Sequence, residues 1–437
     1  MKVQTPILLR SAFAALVGPA AVMAAGTMGA GAMAAFLLAG AWFGYSLLWV
    51  IPLMLPVFVV SADSASRIGA LNPKRGLFSL IAAYLGRPLA WFILVIVVPV
   101  HFLVCMGQLS VMASATESLF GFSADSAAMQ LFLCCGLAAI TLWLVLSRGY
   151  ERMQSAMTLL MLLMFLCFLL VALRGLSQWS AILGGLRPAI PDALTLAGGA
   201  ERRAEASIIA MVGSAIAPAA LLGLPYLSAD AGGGRQALDA GFRRAILNLG
   251  VVFGAYAVLV LIAGAFALHA RPDFAEFADV GQAGEVLRAV FPGALAPLGP
   301  KVFALGLLMA AMTTLVVAAQ VTLYFVLDMS GLPWRFSADN ARFRLGLAAF
   351  VLGAAVLAPF WEFPALLKVI LLMGINVVVM PVVYLIVLVL ANRRAVMQDV
   401  PTPWWRNLLL LAGLLASLFL AVDRAPQYLA MLAGVLR

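Results

Sequence analysis

Runs of about 20 apolar residues recur from one end of this chain to the other, and each is long enough to cross about 30 Å of hydrocarbon as a helix. Of the 437 residues, 65% are hydrophobic and only 10% are charged, against roughly a quarter charged in soluble domains. The chain therefore reads as an all-α integral membrane protein, a single transmembrane domain over residues 1–437 with little left over for a soluble one. Hydropathy puts helices near residues 13–39, 44–66, 89–115, 130–147, 154–173, 205–229, 244–268, 301–328, 343–360, 364–391 and 405–422, eleven in all. Ala425–Leu436 is too short to span by itself and is a candidate for a twelfth, partial segment.

The net charge of +9 reports orientation rather than nucleic-acid binding, because no basic run is dense enough to hold DNA or RNA. With the N-terminus in the cytoplasm, seventeen of the 27 Lys and Arg fall on inner connections, as the positive-inside rule favours. The expected location is multi-pass in a cell membrane of the bacterial inner type. Lys2 and Arg10 precede an alanine-rich stretch, but hydrophobicity continues past Ala25 to Ala39, about twice the length of a signal-peptide core, so a span is expected there. Cys105, Cys134, Cys135 and Cys167 lie inside apolar segments without metal-site or disulfide spacing and read as small core residues. The longest loops, near Arg174–Ala204 and His269–Pro300, fall outside; each fits a solvated loop or an outer rim, and the second is compatible with a short amphipathic helix.

Two apolar segments are interrupted. Gly26-Thr27-Met28-Gly29-Ala30-Gly31 sets three glycines in the middle of the first, and glycine costs about 1 kcal/mol against alanine in a helix interior. Such a stretch either opens the helix and bares backbone polar groups, which hydrocarbon tolerates only inside protein or beside a cavity, or lets two helices touch closely. The sixth segment carries Pro218 and then Pro225, each of which removes a donor and crowds a carbonyl. Interrupted segments in corresponding places of two halves point to an inverted-repeat transporter with its site at the midplane between the breaks. The halves would be residues 13–174 (helices one to five) and 205–391 (helices six to ten), with 405–437 an accessory helix; an odd number of helices per repeat forces the inversion.

Gly18-Pro19, the run from Gly26, and then Gly40-Ala41-Trp42-Phe43-Gly44-Tyr45-Ser46-Leu47-Leu48-Trp49-Val50 resemble the first two helices of the natural resistance-associated macrophage protein (NRAMP) family of divalent metal transporters. Gly149-Tyr150-Glu151-Arg152 is similar to the family's G-x-R-K-L-E stretch, Gly185-Leu186-Arg187-Pro188 to its G-L-V-P, and Asn392-Arg393-Arg394 to the close of its tenth helix. The resemblance covers residues 18 to 395 and implies a LeuT-like fold with proton-linked uptake of manganese or iron. It also implies a metal site made by an Asp-Pro-Gly-Asn break in the first helix and a Met-Pro-His break in the sixth. In that register this chain has Gly29 and Ala32 at the Asp and Asn positions, and Ala217 and Ala219 flanking Pro218 at the Met and His positions. The acidic position beyond the first break matches Phe36, and the acidic pair of the third helix falls near Cys105 and Gln108.

A divalent ion leaving water needs about six hard oxygens, or softer nitrogen and sulfur ligands, and usually formal negative charge. The breaks offer little beyond backbone, so no metal ligand set is expected, no cofactor is implied, and a bare Mn²⁺ or Fe²⁺ should bind poorly there. Helix N-termini favour an anionic group, and small residues on both breaks suggest a cavity wide enough for a small organic solute. Thr27, Gly29, Ala32, Ala217, Pro218, Ala219 and Tyr226 at the breaks, with Thr313 on helix eight and Asn376 on helix ten, are the candidate substrate residues. Gln108 and His101 on helix three are candidates for a polar coupling network, with interhelical hydrogen bonding or an interfacial histidine as the plainer role. Asp63 and Asp328, near inner helix ends, read as gate or salt-bridge residues.

The expectation is a secondary transporter of NRAMP type, taking a small solute or cation across the bilayer with a proton or sodium as coupling ion, and with a substrate other than the usual transition metals. A carbonyl-based or hydrated-ion divalent site is the alternative, and a non-transporting sensor or partner protein the second. Enzymatic activity is not expected, since two distant histidines and no intramembrane carboxylate cluster give poor catalytic material.

Overall fold

Helix ends follow the punctuation of the sequence. The computed structural model describes residues 28–147, 150–195, 201–231, 234–269, 280–291, 293–337, 339–361 and 363–435. The first half contains α1 (Ala30–Phe43), α2 (Val50–Leu71), α3 (Leu77–Tyr84), α4 (Arg87–Phe120), α5 (Ala127–Leu146) and α6 (Tyr150–Gly175). A short helix α7 (Trp179–Gly184) and a small antiparallel pair, β1 (Leu194–Thr195) with β2 (Glu201–Arg202), follow. The second half has α8 (Ala204–Ala215), α9 (Pro218–Ala231), α10 (Leu238–Ala245), α11 (Phe253–Leu268), α12 (Val280–Gly284), α13 (Leu298–Met329), α14 (Ala341–Leu357) and α15 (Ala365–Ala391). The chain closes with α16 (Arg394–Met397) and α17 (Trp404–Val435).

Among the described residues 10 helices are long and apolar enough to cross a membrane, and α1 is a shorter apolar one. Gly26 and Thr27, with the rest of the first apolar segment up to residue 27, lie outside the described residues. The twelfth, partial segment expected at Ala425–Leu436 is not separate: α17 runs on without interruption to Val435.

The sixth segment breaks once, not twice. Helix α8 stops at Ala215, Ile216 leaves the helical region (φ −110°, ψ 62°), and Pro218 begins α9, a first-turn position where its missing N–H costs nothing. Pro225 instead sits inside a continuous α9. On the other side, α1 begins at Ala30 from an extended Gly29 (φ −71°, ψ −173°), with no side chain capping it.

The packing repeats itself between the halves. Helices α4 and α13 form the central pair, α1 packs on α11, and α9 packs on α2. Where α1 crosses α11, Gly264 meets the Leu37 carbonyl, and where α9 crosses α2, Gly69 meets the Pro225 carbonyl, each so closely that a Cβ would overlap the oxygen. Leu37 and Pro225 stand equally far from their helix starts, Ala30 and Pro218. The next contact along each crossing is also matched: Gly40 lies against Leu261, and Ser228 shares a 2.7 Å hydrogen bond with Ser66. One crossing is tightened by a second glycine and the other by a hydroxyl pair.

At the Asp328 end of the molecule α17 is clamped to α2. Asp63, buried, accepts from Arg67 at 2.7 Å and from Arg406. The Arg406 guanidinium lies 4.5 Å from the Phe242 ring centre and 4.9 Å from that of Trp405. A buried carboxylate shared by two cations satisfies the rule that interior charge be paired.

Candidate functional site

The start of α1 and the break between α8 and α9 face one small cavity of about 50 Å³. Gly29, Gly31 and Ala32 line it from α1, and Ser214, Ala217, Ala219 and Ala220 from the second break. His101 and Val104 of α4, Thr314, Val317 and Ala318 of α13, and Met373 and Asn376 of α15 complete the wall. No Asp, Glu, Lys or Arg is among these residues, and among the described residues no group of three or more His, Cys, Asp or Glu could hold a metal ion.

The cavity is narrower than the small residues at the breaks suggest, because α15 fills the space they leave. A Cβ on Gly31 would sit 2.8 Å from Met373 Sδ, so the missing side chain of α1 is replaced by a thioether from across the site. Asn376, one turn farther along α15, donates from Nδ2 to the Gly213 carbonyl at 3.4 Å, satisfying one of the carbonyls that the end of α8 leaves without a helical partner. Ser214 donates to the Met211 carbonyl at 2.9 Å and Thr314 to that of Ala310 at 3.1 Å.

His101 is the most constrained polar group in the wall. Its Nδ1 is 2.8 Å from Thr322 Oγ1, and the Thr322 hydroxyl proton is committed to the Ala318 carbonyl at 2.7 Å. The hydroxyl oxygen must then accept from the ring, so Nδ1 carries the hydrogen and Nε2 of the neutral imidazole keeps a lone pair. Nε2 is buried and has no protein partner.

The other expected residues fall elsewhere. Tyr226 is not at the break: its hydroxyl donates to Asp328 Oδ2 at 2.7 Å and accepts from the Phe78 amide at 3.1 Å, in a closed layer toward the Asp328 end. Asp328 also accepts from the Ser79 amide at 3.0 Å, and Tyr226 stacks on Tyr324 with centroids 5.5 Å apart. Phe325, 5.7 Å from Tyr226 and 5.8 Å from His101, separates this layer from the cavity. Thr313 is turned away from the cavity and bonds the Met309 carbonyl at 2.6 Å, while its neighbour Thr314 faces in. Pro218 starts α9 without lining the cavity, and Gln108 is fully buried with both amide atoms unpartnered, outside the cavity wall. Thr27 lies outside the described residues. Met373, Thr322 and the apolar wall residues Val104, Val317 and Ala318 are ones that sequence reasoning missed; for Met373 the signal was the spacing to Asn376, which puts both on one face of α15.

Residues 20–424 match the natural resistance-associated macrophage protein-like (Nramp) family. The chain belongs to the Nramp family. A curated relative, the divalent metal cation transporter MntH of Mesorhizobium japonicum, is 29% identical over 155 residues, 35% of this chain and 33% of that protein. The match thus spans about a third of that relative's length. Among solved structures, the Eremococcus coleocola manganese transporter in complex with an aromatic bis-isothiourea substituted compound is similar with a TM-score of 0.72 at 15% identity, over 97% of this chain and 88% of that one. MhsT in complex with L-phenylalanine is similar with a TM-score of 0.62 at 13% identity, over 93% and 97%. At these identities the likeness shows the fold, an all-helical LeuT-like membrane architecture, for this Nramp chain.

Proposed function

We propose that this Nramp chain is a secondary transporter working by alternating access around the two breaks, with a substrate other than the family's transition metals. The repeats would be residues 13–174 and 205–391, with 405–437 accessory and the N-terminus in the cytoplasm. The observation that carries the reading is a cavity at both breaks whose wall, among the described residues, contains no charged side chain. Gly29, Ala32, Ala217 and Ala219 would stand at the ligand positions of the family motif and supply no side-chain donor. Uncompensated charge near the bilayer centre is costly, so a bare divalent ion is disfavoured. The Tyr226–Asp328 layer would form the gate on the cytoplasmic side.

Two measurements test this. Proteoliposomes loaded with a metal-sensitive dye should take up Mn²⁺ no faster than empty vesicles; uptake at micromolar Mn²⁺ would sink the substrate reading. Single cysteines at Gly29 and Ala219 should react with impermeant reagents from either side of the membrane, depending on conditions. Protection from one side under every condition would instead favour a sensor or partner protein that does not transport.

A further inference from the structure

We propose that the cavity binds a short-chain monocarboxylate together with one proton, and that His101 Nε2 is the proton's site. The inference rests on the cavity being the substrate site, as above, and adds the class of substrate and the coupling group.

The first argument is electrostatic. Helices α1 and α9, each 14 residues long, both begin at the cavity, at Ala30 and Pro218. The leading N–H groups of a helix have no partner within it, and its N-terminus carries about half a positive charge. Neither first turn contains an acidic residue, and Gly29 has no side chain with which to cap α1. The opposing carbonyl end of α8 is partly neutralised by the Asn376 amide at the Gly213 carbonyl and the Ser214 hydroxyl at Met211. Among the described residues two positive ends face one partly neutralised carbonyl end and no carboxylate, a balance that favours an anion over a cation.

The second argument is independent of the helix ends. His101 is 1% exposed, its Nδ1–H is held by Thr322, and its ring lines the cavity with Nε2 unpartnered. A buried lone pair left without a donor is destabilising, so a ligand or a proton that satisfies it gains accordingly. A proton taken from water onto Nε2 converts that atom into a cationic N–H donor, and the same proton returns to water on release. The imidazolium alone would be an unpaired charge at the midplane, and so would the carboxylate alone; together they are a neutral, hydrogen-bonded pair.

Nothing nearby substitutes for the anion. The titratable groups on the elements packed against α4 are Lys301, Tyr324 and Asp328 of α13, Lys368 and Tyr384 of α15, Arg342 and Arg344 of α14, Cys134 and Cys135 of α5, and Tyr84 of α3. Arg87, Cys105 and Glu117 lie on α4 itself, Arg87 at its start and Glu117 in its last turn, and Tyr226 lies behind Phe325. None of these is joined to His101 by a hydrogen bond or ion pair among the described residues: Asp328 is engaged by Tyr226 and Ser79, and Lys368 donates to Ser110 at 2.9 Å. The alanine, valine and methionine walls of the cavity suit a carboxylate with a short aliphatic substituent.

Equilibrium binding to the purified full-length protein in detergent tests this without depending on transport. Glycolate is the probe, because it stays ionised throughout the pH range used, 5.5 to 8. Linkage to a single proton predicts that its apparent affinity weakens about tenfold per pH unit once His101 has lost its proton. His101→Gln, which keeps an amide but cannot take the proton, should weaken binding at pH 5.5 at least about tenfold and flatten the pH profile. Equal affinity at pH 5.5 and 8, an unchanged pH slope in His101→Gln, or stabilisation by Mn²⁺ or Ag⁺ in place of glycolate would each overturn the proposal. If His101→Gln does not fold, Thr322→Val keeps the imidazole and removes its acceptor; a displaced pH profile supports the assignment and a wild-type profile refutes it. Glycolate binding without two-sided cysteine access would count against transport alone. Two-sided access without glycolate binding would count against this inference alone.

Discussion

The cavity at the breaks and the layer around Asp328 are separated by one phenylalanine and are built on opposite principles. In the layer every polar group has a protein partner: the Asp328 carboxylate takes the Tyr226 hydroxyl and the Ser79 amide, and Tyr226 in turn takes the Phe78 amide. Aromatic rings seal it, with Trp334 5.0 Å from Tyr226. In the cavity the walls are mostly alanine, glycine and valine, and the buried ring of His101 keeps an unmatched nitrogen. A saturated layer stabilises one conformation by itself, whereas an unsaturated cavity gains most when something enters it. On the proposed reading, closure and recognition fall to different residues.

That contrast can be attacked at four points, beginning with the largest effect. Gly69→Ala forces a Cβ into the Pro225 carbonyl where α2 crosses α9 and should cost about 3 kcal/mol, the upper end of ordinary overpacking, read as a lowered midpoint of thermal unfolding in detergent. Tyr226→Phe removes the donor to Asp328 and leaves the Phe78 amide unpaired, a loss of about 2 kcal/mol from the closed layer. Labelling of a cysteine at Ala219 from the Asp328 end should then quicken by about tenfold or more, and an unchanged rate would show that the layer is not a gate. Asn376→Ala frees the Gly213 carbonyl for about 1 kcal/mol of stability, small beside its expected effect on ligand affinity. Thr313→Val should stay within about 0.5 kcal/mol of wild type and leave binding unchanged, whereas Thr314→Val at the cavity wall should alter it. Equal effects from the two threonines would mean that α13 is rotated from the position described.

Legibility in the sequence followed the strength of each physical signal. Spans were readable because hydrocarbon thickness sets a minimum apolar length. The break at Pro218 was readable because proline leaves few choices, yet Pro225 misled: its ring is accommodated inside α9, where its carbonyl meets the bare Gly69 of α2. Thr313 and Thr314 are adjacent on a helix apolar all round, so no amphipathic stripe told which of them faces inward. Tyr226 lies close to the break in sequence, but α9 carries it down to Asp328, far along the chain.

By itself the sequence determined that the chain is a bundle of membrane helices, that two of them are interrupted, and which backbone positions lack side chains at those interruptions. These follow from local chemistry, where length, glycine and proline act on their own neighbourhoods. Only the tertiary structure decided what fills the gap. Met373 reaches across from α15 to occupy the space over Gly31, and Thr322 of α13 fixes the His101 ring so that its free nitrogen is Nε2. Both outcomes depend on contacts between helices distant in the chain, and the small residues that permit such contacts carry no mark of which neighbour will make them.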